Sequence, residues 1–250
     1  MTASSSAPRP EPLLATRSRA SHLLRLLAAT YPRAACALVW KSPFQLAVAT
    51  ILSAQCTDRR VNLVTPALFA RYPNPADFAA ASLPDLEEAI RSCGFFHNKA
   101  RALQALGAEL VRAHHGRLPA DPADLEGLPG IGRKTANLLR GEVYDIPSLI
   151  VDTHFIRLSN RLGLLPAPSE DPLVIERRVQ ELVPRPEWTH WSHLMIAHGR
   201  ACCAARAPAC GICPVAHLCP SRAIAARSVA APASPAPAVP RPAPSPRKKR

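Results

Sequence analysis

The sequence predicts an all-α fold in which many short helices are joined by short loops. The first observation is a recurring pair in which a capping side chain precedes proline, because this combination favours the start of a helix. The second is that apolar residues between these pairs recur at helical spacing. The pairs are Ser42-Pro43, Asn74-Pro75, Asp121-Pro122 and Asp171-Pro172, with a variant at Ser82-Leu83-Pro84-Asp85. No segment alternates between apolar and polar residues as a β-strand would.

The predicted helices can be placed in order along the chain. The first runs from Ser21 to Ala29 and contains the stretch LLRLLAA. Ser42 is followed three residues later by Gln45, which predicts a capping box at the start of the second helix. The remaining apolar runs with helical period cover residues 44–54, 58–70, 84–92, 97–114, 133–141, 153–163, 172–183 and 188–200.

Both ends of the chain differ in composition from the body. Residues 1–20 contain Pro8, Pro10 and Pro12, which argue against a stable helix, so we expect a disordered basic arm there. Residues 223–250 consist mostly of Ala, Pro, Ser and Arg and end in RKKR. Such a segment cannot bury a hydrophobic core, and we expect it to be a disordered, Ala/Pro-rich basic tail.

The formal net charge is +13, from 31 Lys and Arg against 18 Asp and Glu. A basic body with basic ends favours a polyanionic partner, and nucleic acid is the commonest such partner. The alternative is that the charge serves only to keep the protein in solution. No apolar run is long enough to span a membrane, and the N-terminus lacks the apolar region of a secretory signal. We therefore expect a cytoplasmic protein with no membrane partner.

The stretch LEGLPGIGRKTA at residues 125–136 predicts a helix, a hairpin and a second helix. Gly130 and Gly132 allow a tight turn that larger residues would strain, and Gly132 would open the second helix. Backbone N–H groups at such a turn can hold a phosphate oxygen, and Lys134 would lie beside that phosphate. Two glycines one residue apart also occur in many ordinary loops. A plain capping loop with a surface lysine is therefore the alternative.

Four of the eight cysteines form a C-x6-C-x2-C-x5-C motif, namely Cys203, Cys210, Cys213 and Cys219. Without a secretory signal, eight cysteines indicate metal or redox chemistry more than structural disulfides. Four thiolates from one short loop form a metal site. The spacing differs from the C-x2-C-x2-C run of bacterial ferredoxins, and four thiolates also suit a tetrahedral zinc ion, so both an iron–sulfur cluster and zinc stay open.

Taken together, these motifs resemble those of the endonuclease III family, which are helix-hairpin-helix DNA glycosylases with a [4Fe-4S] cluster. The resemblance covers about residues 21–221 and adds three stretches, namely SAQCTD at 53–58, VDTH at 151–154 and HGR at 198–200. It implies a [4Fe-4S] cluster rather than zinc, with Cys203, Cys210, Cys213 and Cys219 as the ligands.

The resemblance also implies a two-lobed fold with the cluster loop near the C-terminus. A helical barrel lobe would cover about residues 36–146 and contain the helix-hairpin-helix at about 125–140. A cluster lobe would combine residues 21–35 with residues 147–222. By the same resemblance, duplex DNA would lie across the groove between the two lobes.

The resemblance places the chemistry on Lys134 and Asp152. A glycosylase must flip a nucleotide out of the duplex to reach C1′ of its sugar. The Lys134 amine would attack C1′ and form a Schiff base, while the Asp152 carboxylate would stabilise positive charge on the sugar. Taken by itself, Asp152 has the position of a helix N-cap with no catalytic role.

Further residues are assigned to DNA binding by the same resemblance. Gln55 matches the residue that fills the space left by a flipped base, and Phe95 matches a wedge position that is usually leucine. Arg206 carries the only charge between Cys203 and Cys210. The hairpin and the turn after it would contact DNA through Pro129, Gly130, Ile131, Gly132, Arg133 and Thr135.

The sequence therefore predicts a bifunctional DNA glycosylase and abasic-site lyase. Its partner would be duplex DNA with oxidised pyrimidines or abasic sites, and it would act as a monomer associated with the bacterial nucleoid. Adenine-mismatch glycosylases share the hairpin, the aspartate and the cluster spacing, but they usually lack a lysine at the position of Lys134 and carry a further C-terminal domain. A noncatalytic DNA-binding protein is a third interpretation, which the presence of both Lys134 and Asp152 disfavours.

Overall fold

The computed structural model describes residues 11–222, so the first ten residues and the predicted tail at 223–250 lie outside it. Residues 11–222 are all-α, as predicted, and contain no strand. None of their helices combines the length and apolar character needed to cross a membrane. The helices are α1 (Leu13–Thr30), α2 (Pro43–Ser53), α3 (Asp58–Arg71), α4 (Pro75–Ala80), α5 (Leu83–Ile90), α6 (Phe96–His114), α7 (Pro122–Gly127), α8 (Arg133–Val143), α9 (Thr153–Arg161), α10 (Pro172–Leu182) and α11 (Trp188–Ala201).

Helix α1 begins earlier than predicted. Residues 13–20, which were expected to belong to a disordered arm, form its first two turns, so that expectation is wrong for this part of the arm. Pro12 is tolerated because it occupies the N-cap, where the helix needs no N–H group from it. Ala20 is buried, and the Arg17 guanidinium donates a 2.7 Å hydrogen bond to the carbonyl of Glu181, 164 positions away. Local composition cannot reveal such a distant partner.

The predicted capping residues all begin helices. Each accepts a hydrogen bond from a backbone N–H two or three residues further on, as seen for Ser42, Asn74, Ser82, Asp121 and Asp171. The capping box predicted at Ser42 is only half formed. Its hydroxyl accepts the N–H of Gln45 at 3.3 Å, but the Gln45 side chain accepts the N–H of Lys41 at 2.9 Å instead. A complete capping box forms between Asn74 and Asp77.

Buried apolar side chains form two clusters. The first contains residues between Leu38 and Leu139 and is built from helices α2 to α8. The second joins α1, through Ala20, Leu23 and Leu27, to residues 149–215. We propose that these clusters are the cores of the barrel lobe and the cluster lobe. The lobe boundaries near residues 36, 146 and 222 stay predictions.

Candidate functional site

The helix-hairpin-helix consists of α7, the turn at residues 128–132 and α8. Gly130 has a φ of +77°, which L side chains rarely adopt, and a Cβ at this position would lie 3.0 Å from Ile51 Cδ1. Gly132 has a φ of −93°, and a Cβ there would meet nothing within 4 Å. Only Gly130 is therefore required by the turn itself. The missing side chain at Gly132 leaves the space in front of α8 open.

Helix α8 begins without a side-chain cap. Seven other helices, α2 to α5, α7, α9 and α10, have a Ser, Thr, Asn or Asp side chain that accepts one of their first N–H groups. Helix α8 has Gly132 at this position, so its first turn, with Arg133 and Lys134, receives no such acceptor. These free N–H groups and the partial positive charge of a helix N-terminus suit an anion such as a phosphate oxygen.

Two residues that are predicted to contact DNA, Ile131 and Arg133, have side chains that are engaged within the protein. Ile131 is 3% exposed, and its N–H donates to the carbonyl of Leu128 at 3.1 Å, so it anchors the turn in the core. The Arg133 guanidinium donates to both carboxylate oxygens of Glu176, at 2.8 and 3.1 Å, and this pairing raises the pKa of Arg133. A contact between Arg133 and DNA would therefore come from its backbone N–H.

The two predicted catalytic residues lie at the starts of two helices. Lys134 is exposed in the first turn of α8. Asp152 is half-buried at the N-cap of α9, where its Oδ1 accepts the N–H of Phe155 at 2.8 Å. The predicted capping role of Asp152 is thus confirmed. Because the cap uses only Oδ1, the second carboxylate oxygen is left for another partner.

A buried asparagine connects the two elements that carry these residues. Asn137, three residues after Lys134, is 6% exposed and donates to the carbonyl of Leu149 at 2.8 Å. Leu149 in turn lies three residues before Asp152. The Asn137 amide nitrogen also lies 3.4 Å from an oxygen of Glu176. This link was not predicted, and its signal in the sequence was a polar residue on the buried face of a helix.

Gln55 and Phe95 line one groove together with Gly130 and Thr135 of the hairpin region. Both have left-handed backbones, with φ of +53° and +48°, a conformation that is uncommon outside glycine and clusters at functional sites. Phe95 is 61% exposed. An aromatic ring presented to solvent beside a polar amide suits insertion into a stack of bases. The structure therefore brings together these four residues of the predicted DNA-binding set.

A buried lysine, Lys99, supports this groove and was not predicted. It is 5% exposed, and its ammonium group donates to the carbonyls of Leu52 at 2.8 Å and Cys93 at 2.9 Å. These carbonyls lie three residues before Gln55 and two before Phe95, so one side chain holds both loops. Burial lowers the pKa of Lys99. In the sequence, the signal was a lysine on the apolar face of α6.

The stretches VDTH and HGR meet beside Asp152. An added Cβ at Gly199 would lie 2.8 Å from His154 Nδ1, so glycine allows the close approach of α9 and α11. Arg157 donates to His154 Nδ1 at 3.0 Å and to the carbonyl of Gly199 at 3.1 Å. Burial lowers the pKa of His154 and so favours the neutral ring, whose Nδ1 can accept this hydrogen bond.

The four cysteines of the motif, Cys203, Cys210, Cys213 and Cys219, line a single small cavity. All four are half-buried free thiols. Arg161 holds the loop, because its guanidinium lies 3.3 Å from Cys203 Sγ and donates to the carbonyl of Ala204 at 2.7 Å. Arg206 is exposed on the same loop. Four thiols around one cavity fit a metal cluster with four cysteine ligands.

Two further candidate ligands border the cavity. The ligand atoms of Cys202, His198 and Cys213 lie within 4.8 Å of one another. Cys202 also lies 3.6 Å from the carbonyl of Ala209, and His198 contacts the Tyr31 hydroxyl at 2.9 Å. The geometry alone thus offers five cysteines for a cluster that takes four.

Comparison with known proteins identifies the family. A family model described as "HhH-GPD superfamily base excision DNA repair protein" matches residues 48–185. An endonuclease III from Synechocystis sp. is 49% identical over 206 residues, which cover 82% of this chain and 93% of the relative. The chain belongs to the endonuclease III family. Endonuclease III from Bacillus subtilis is 41% identical over 189 residues, or 76% of this chain and 86% of that relative.

Solved structures of endonuclease III have the same fold. A non-covalent endonuclease III–DNA complex matches with a TM-score of 0.81 and 41% identity, covering 84% of this chain and 98% of that one. A trapped endonuclease III–DNA covalent intermediate matches with a TM-score of 0.80 and 41% identity, covering 83% and 97%. The predicted helix-hairpin-helix glycosylase fold is therefore confirmed.

The family also settles the kind of cofactor. A second family model, the iron–sulfur binding domain of endonuclease III, matches residues 203–219, which begin and end at cysteines of the motif. The prediction of a [4Fe-4S] cluster rather than zinc is confirmed. When bound, the cluster would cross-link the cysteine loop and hold it against the second apolar cluster.

Proposed function

We propose that this endonuclease III family member is a DNA N-glycosylase and abasic-site lyase that removes oxidised pyrimidines from duplex DNA. The observation that carries the proposal is the uncapped start of α8, with Lys134 in its first turn and a buried tie through Asn137 to the segment before Asp152. A lysine at a phosphate-binding helix start is placed to present its amine to the sugar of the bound strand. The similar endonuclease III trapped as a covalent DNA intermediate supports a covalent route.

The groove beside the hairpin is the proposed site of the distorted duplex. The Phe95 ring would insert between base pairs, and Gln55 would occupy the space of the flipped nucleotide. Lys99 would keep these two side chains at a fixed separation, because it is bonded to both of their loops. The open N-terminus of α8 would hold a phosphate of the same strand. The net charge of +13 would add nonspecific attraction to the DNA backbone.

Lys134 and Asp152 would share the chemistry. The Lys134 amine attacks C1′ of the flipped nucleoside, and the bond from C1′ to the base nitrogen breaks with its electron pair leaving on the base. The Asp152 carboxylate, oriented by the N–H of Phe155, stabilises the positive charge that develops on the sugar. The attached nitrogen then loses one proton, the C1′–O4′ bond breaks, and O4′ takes up a proton, which opens the sugar ring and leaves a protonated Schiff base at C1′. Removal of a C2′ proton expels the 3′ phosphate by β-elimination.

A panel of duplexes, each with one defined lesion, tests the substrate class. We expect release of an oxidised pyrimidine such as thymine glycol together with strand cleavage at the same position. A matched duplex with undamaged thymine should stay intact. A duplex with adenine opposite guanine tests the alternative of an adenine-mismatch glycosylase, which the lysine at position 134 disfavours. Excision of that adenine, with the oxidised pyrimidines left in place, would contradict the proposal.

We also propose that Cys203, Cys210, Cys213 and Cys219 are the cluster ligands and that Cys202 is not. The family match begins at Cys203 and not at Cys202. A [4Fe-4S] cluster corresponds to about four irons per chain. Cys203→Ser should lower the iron content well below this value and remove the visible absorbance of the cluster. Cys202→Ser is the matched control and should keep both. If Cys202→Ser lost the iron and Cys203→Ser kept it, Cys202 would be the ligand and the proposal would be wrong.

We further propose that the protein acts as a monomer on chromosomal DNA, with the nucleoid in the bacterial cytoplasm. The support for a monomer is that one chain supplies every residue assigned to the site. The support for the location is the proposed substrate and the bacterial source of the two relatives described above.

A further inference from the structure

Glu176 of α10 is a buried carboxylate that the chemistry described above does not use. It is 5% exposed, and both of its oxygens accept hydrogen bonds from the Arg133 guanidinium, at 2.8 and 3.1 Å. A second carboxylate, Glu126, lies farther from the same guanidinium, at 3.6 Å. A bidentate pair of this kind fixes orientation as well as adding energy. The pairing therefore holds Arg133 in one geometry against α10.

The contacts of this carboxylate reach both proposed catalytic residues. Arg133 directly precedes Lys134 in the first turn of α8. Asn137, whose amide lies 3.4 Å from Glu176 Oε1, donates to the carbonyl of Leu149 in the segment that leads to Asp152. One side chain thus contacts two successive turns of α8 and, through Asn137, the approach to α9.

Glu176 also joins the two apolar clusters. Helix α8 packs in the first cluster through Ala136 and Leu139, whereas α10 packs in the second through Ile175 and Val179. The start of α8 could tilt relative to the second cluster if apolar packing alone held it, because such packing is non-directional. The bidentate pair supplies a directional contact between α8 and α10 at the first residue of α8, and the hydrogen bond from Asn137 to the carbonyl of Leu149 adds a second one a turn later.

We propose that Glu176 is a positioning residue that sets the Lys134 amine relative to the Asp152 carboxylate. This inference rests on the catalytic roles proposed above for these two residues. Lysine has a long flexible side chain, so the reach of its amine depends on where the helix start is held. Misplacement of a reacting group by about 1 Å can lower a rate on the order of 100-fold. Glu176 contacts no reacting atom and acts through Arg133 and Asn137.

Glu176→Gln tests the inference with little change of shape. Glutamine keeps one acceptor oxygen, but its NH₂ group would face the Arg133 and Asn137 donors, so the bidentate pair is lost. We expect the single-turnover rate of borohydride trapping on a preformed abasic-site duplex to fall at least about 10-fold at saturating protein, as misplacement predicts. The Kd for that duplex, the iron content and the thermal unfolding midpoint should stay near the wild-type values.

Glu181→Gln is the matched control, because Glu181 lies on the same helix and pairs with Arg178 at the surface. It should trap at the wild-type rate. Arg133→Lys keeps the charge but loses the two-pronged geometry, so it should slow trapping in the same way and serves if Glu176→Gln does not fold. Trapping by Glu176→Gln and Arg133→Lys at the wild-type rate would overturn the inference about Glu176. So would a slower rate that unfolded protein or a raised Kd explains in full. Neither result would affect the proposed function. A wild-type protein that forms no adduct would overturn the proposed function itself.

Discussion

Lys134→Ala should abolish borohydride trapping of this protein on DNA that contains an abasic site. The reason is that trapping reduces a Schiff base between C1′ and an amine, and Lys134 is the lysine in the first turn of the uncapped helix α8. The other lysine near the groove, Lys99, is buried and donates to two carbonyls, so it is not free to replace Lys134. The measurement is the fraction of radiolabelled duplex that migrates as a covalent adduct.

Lys41→Ala is the control for loss of an exposed lysine. Lys41 is exposed and lies just before α2, so removal of its side chain should leave trapping unchanged. DNA binding by Lys134→Ala should persist, because the hairpin, Gln55 and Phe95 are untouched. Equal adduct formation by wild type and Lys134→Ala would show that another amine is the nucleophile.

Asp152→Asn should lose base excision on the order of 100-fold or more, because the carboxylate that stabilises the developing sugar cation becomes a neutral amide. Helix α9 should keep its cap, since the asparagine oxygen can still accept the N–H of Phe155. The loss would then reflect charge rather than folding. Cleavage of a preformed abasic site should suffer less, because no base remains to be removed. Single-turnover rates on lesion and abasic duplexes measure the two steps separately.

Asp171→Asn makes the same chemical change at another helix start and is the control. Asp171 is exposed and caps α10 through the N–H of Leu173, so both activities should stay at the wild-type level. Wild-type base excision by Asp152→Asn would refute the electrostatic role of Asp152. An equal loss of both steps would instead indicate that Asp152 serves the Schiff-base chemistry itself.

The local signals of the sequence predicted most of the secondary structure. A side-chain cap and the proline after it act within one helical turn, so Asn74-Pro75 and Asp171-Pro172 locate helix starts without reference to the rest of the chain. The turn at Gly130 is equally local, because a positive φ selects glycine. The start of α1 was missed since Pro12 suggested disorder, while the contact of Arg17 that secures the helix lies 164 positions away.

The side chains of the hairpin illustrate what spacing could not decide. The motif predicts that Ile131 and Arg133 both contact DNA. The spacing of the motif does not indicate whether each side chain faces the solvent or the protein interior. Ile131 is buried because α7 and α8 pack in the first cluster. Arg133 has a partner because α10 packs next to the start of α8 and carries Glu176. Burial and ion pairing depend on partners brought from other elements, so they follow from the tertiary structure.

The chemistry available to this protein can be predicted from the amino-acid sequence: a lysine and an aspartate at two helix starts, four cysteines in one loop, and a family that uses them. These features depend on residue type and short spacing. How these groups are held in place depends on the packing of distant elements. This packing placed Gln55 and Phe95 in one groove above the buried Lys99, and it joined the Lys134 helix to the Asp152 segment through Asn137 and Glu176. Those contacts join residues up to 47 positions apart. A buried polar group needs a hydrogen-bond partner, and here the partner comes from a distant part of the chain that the fold brings close.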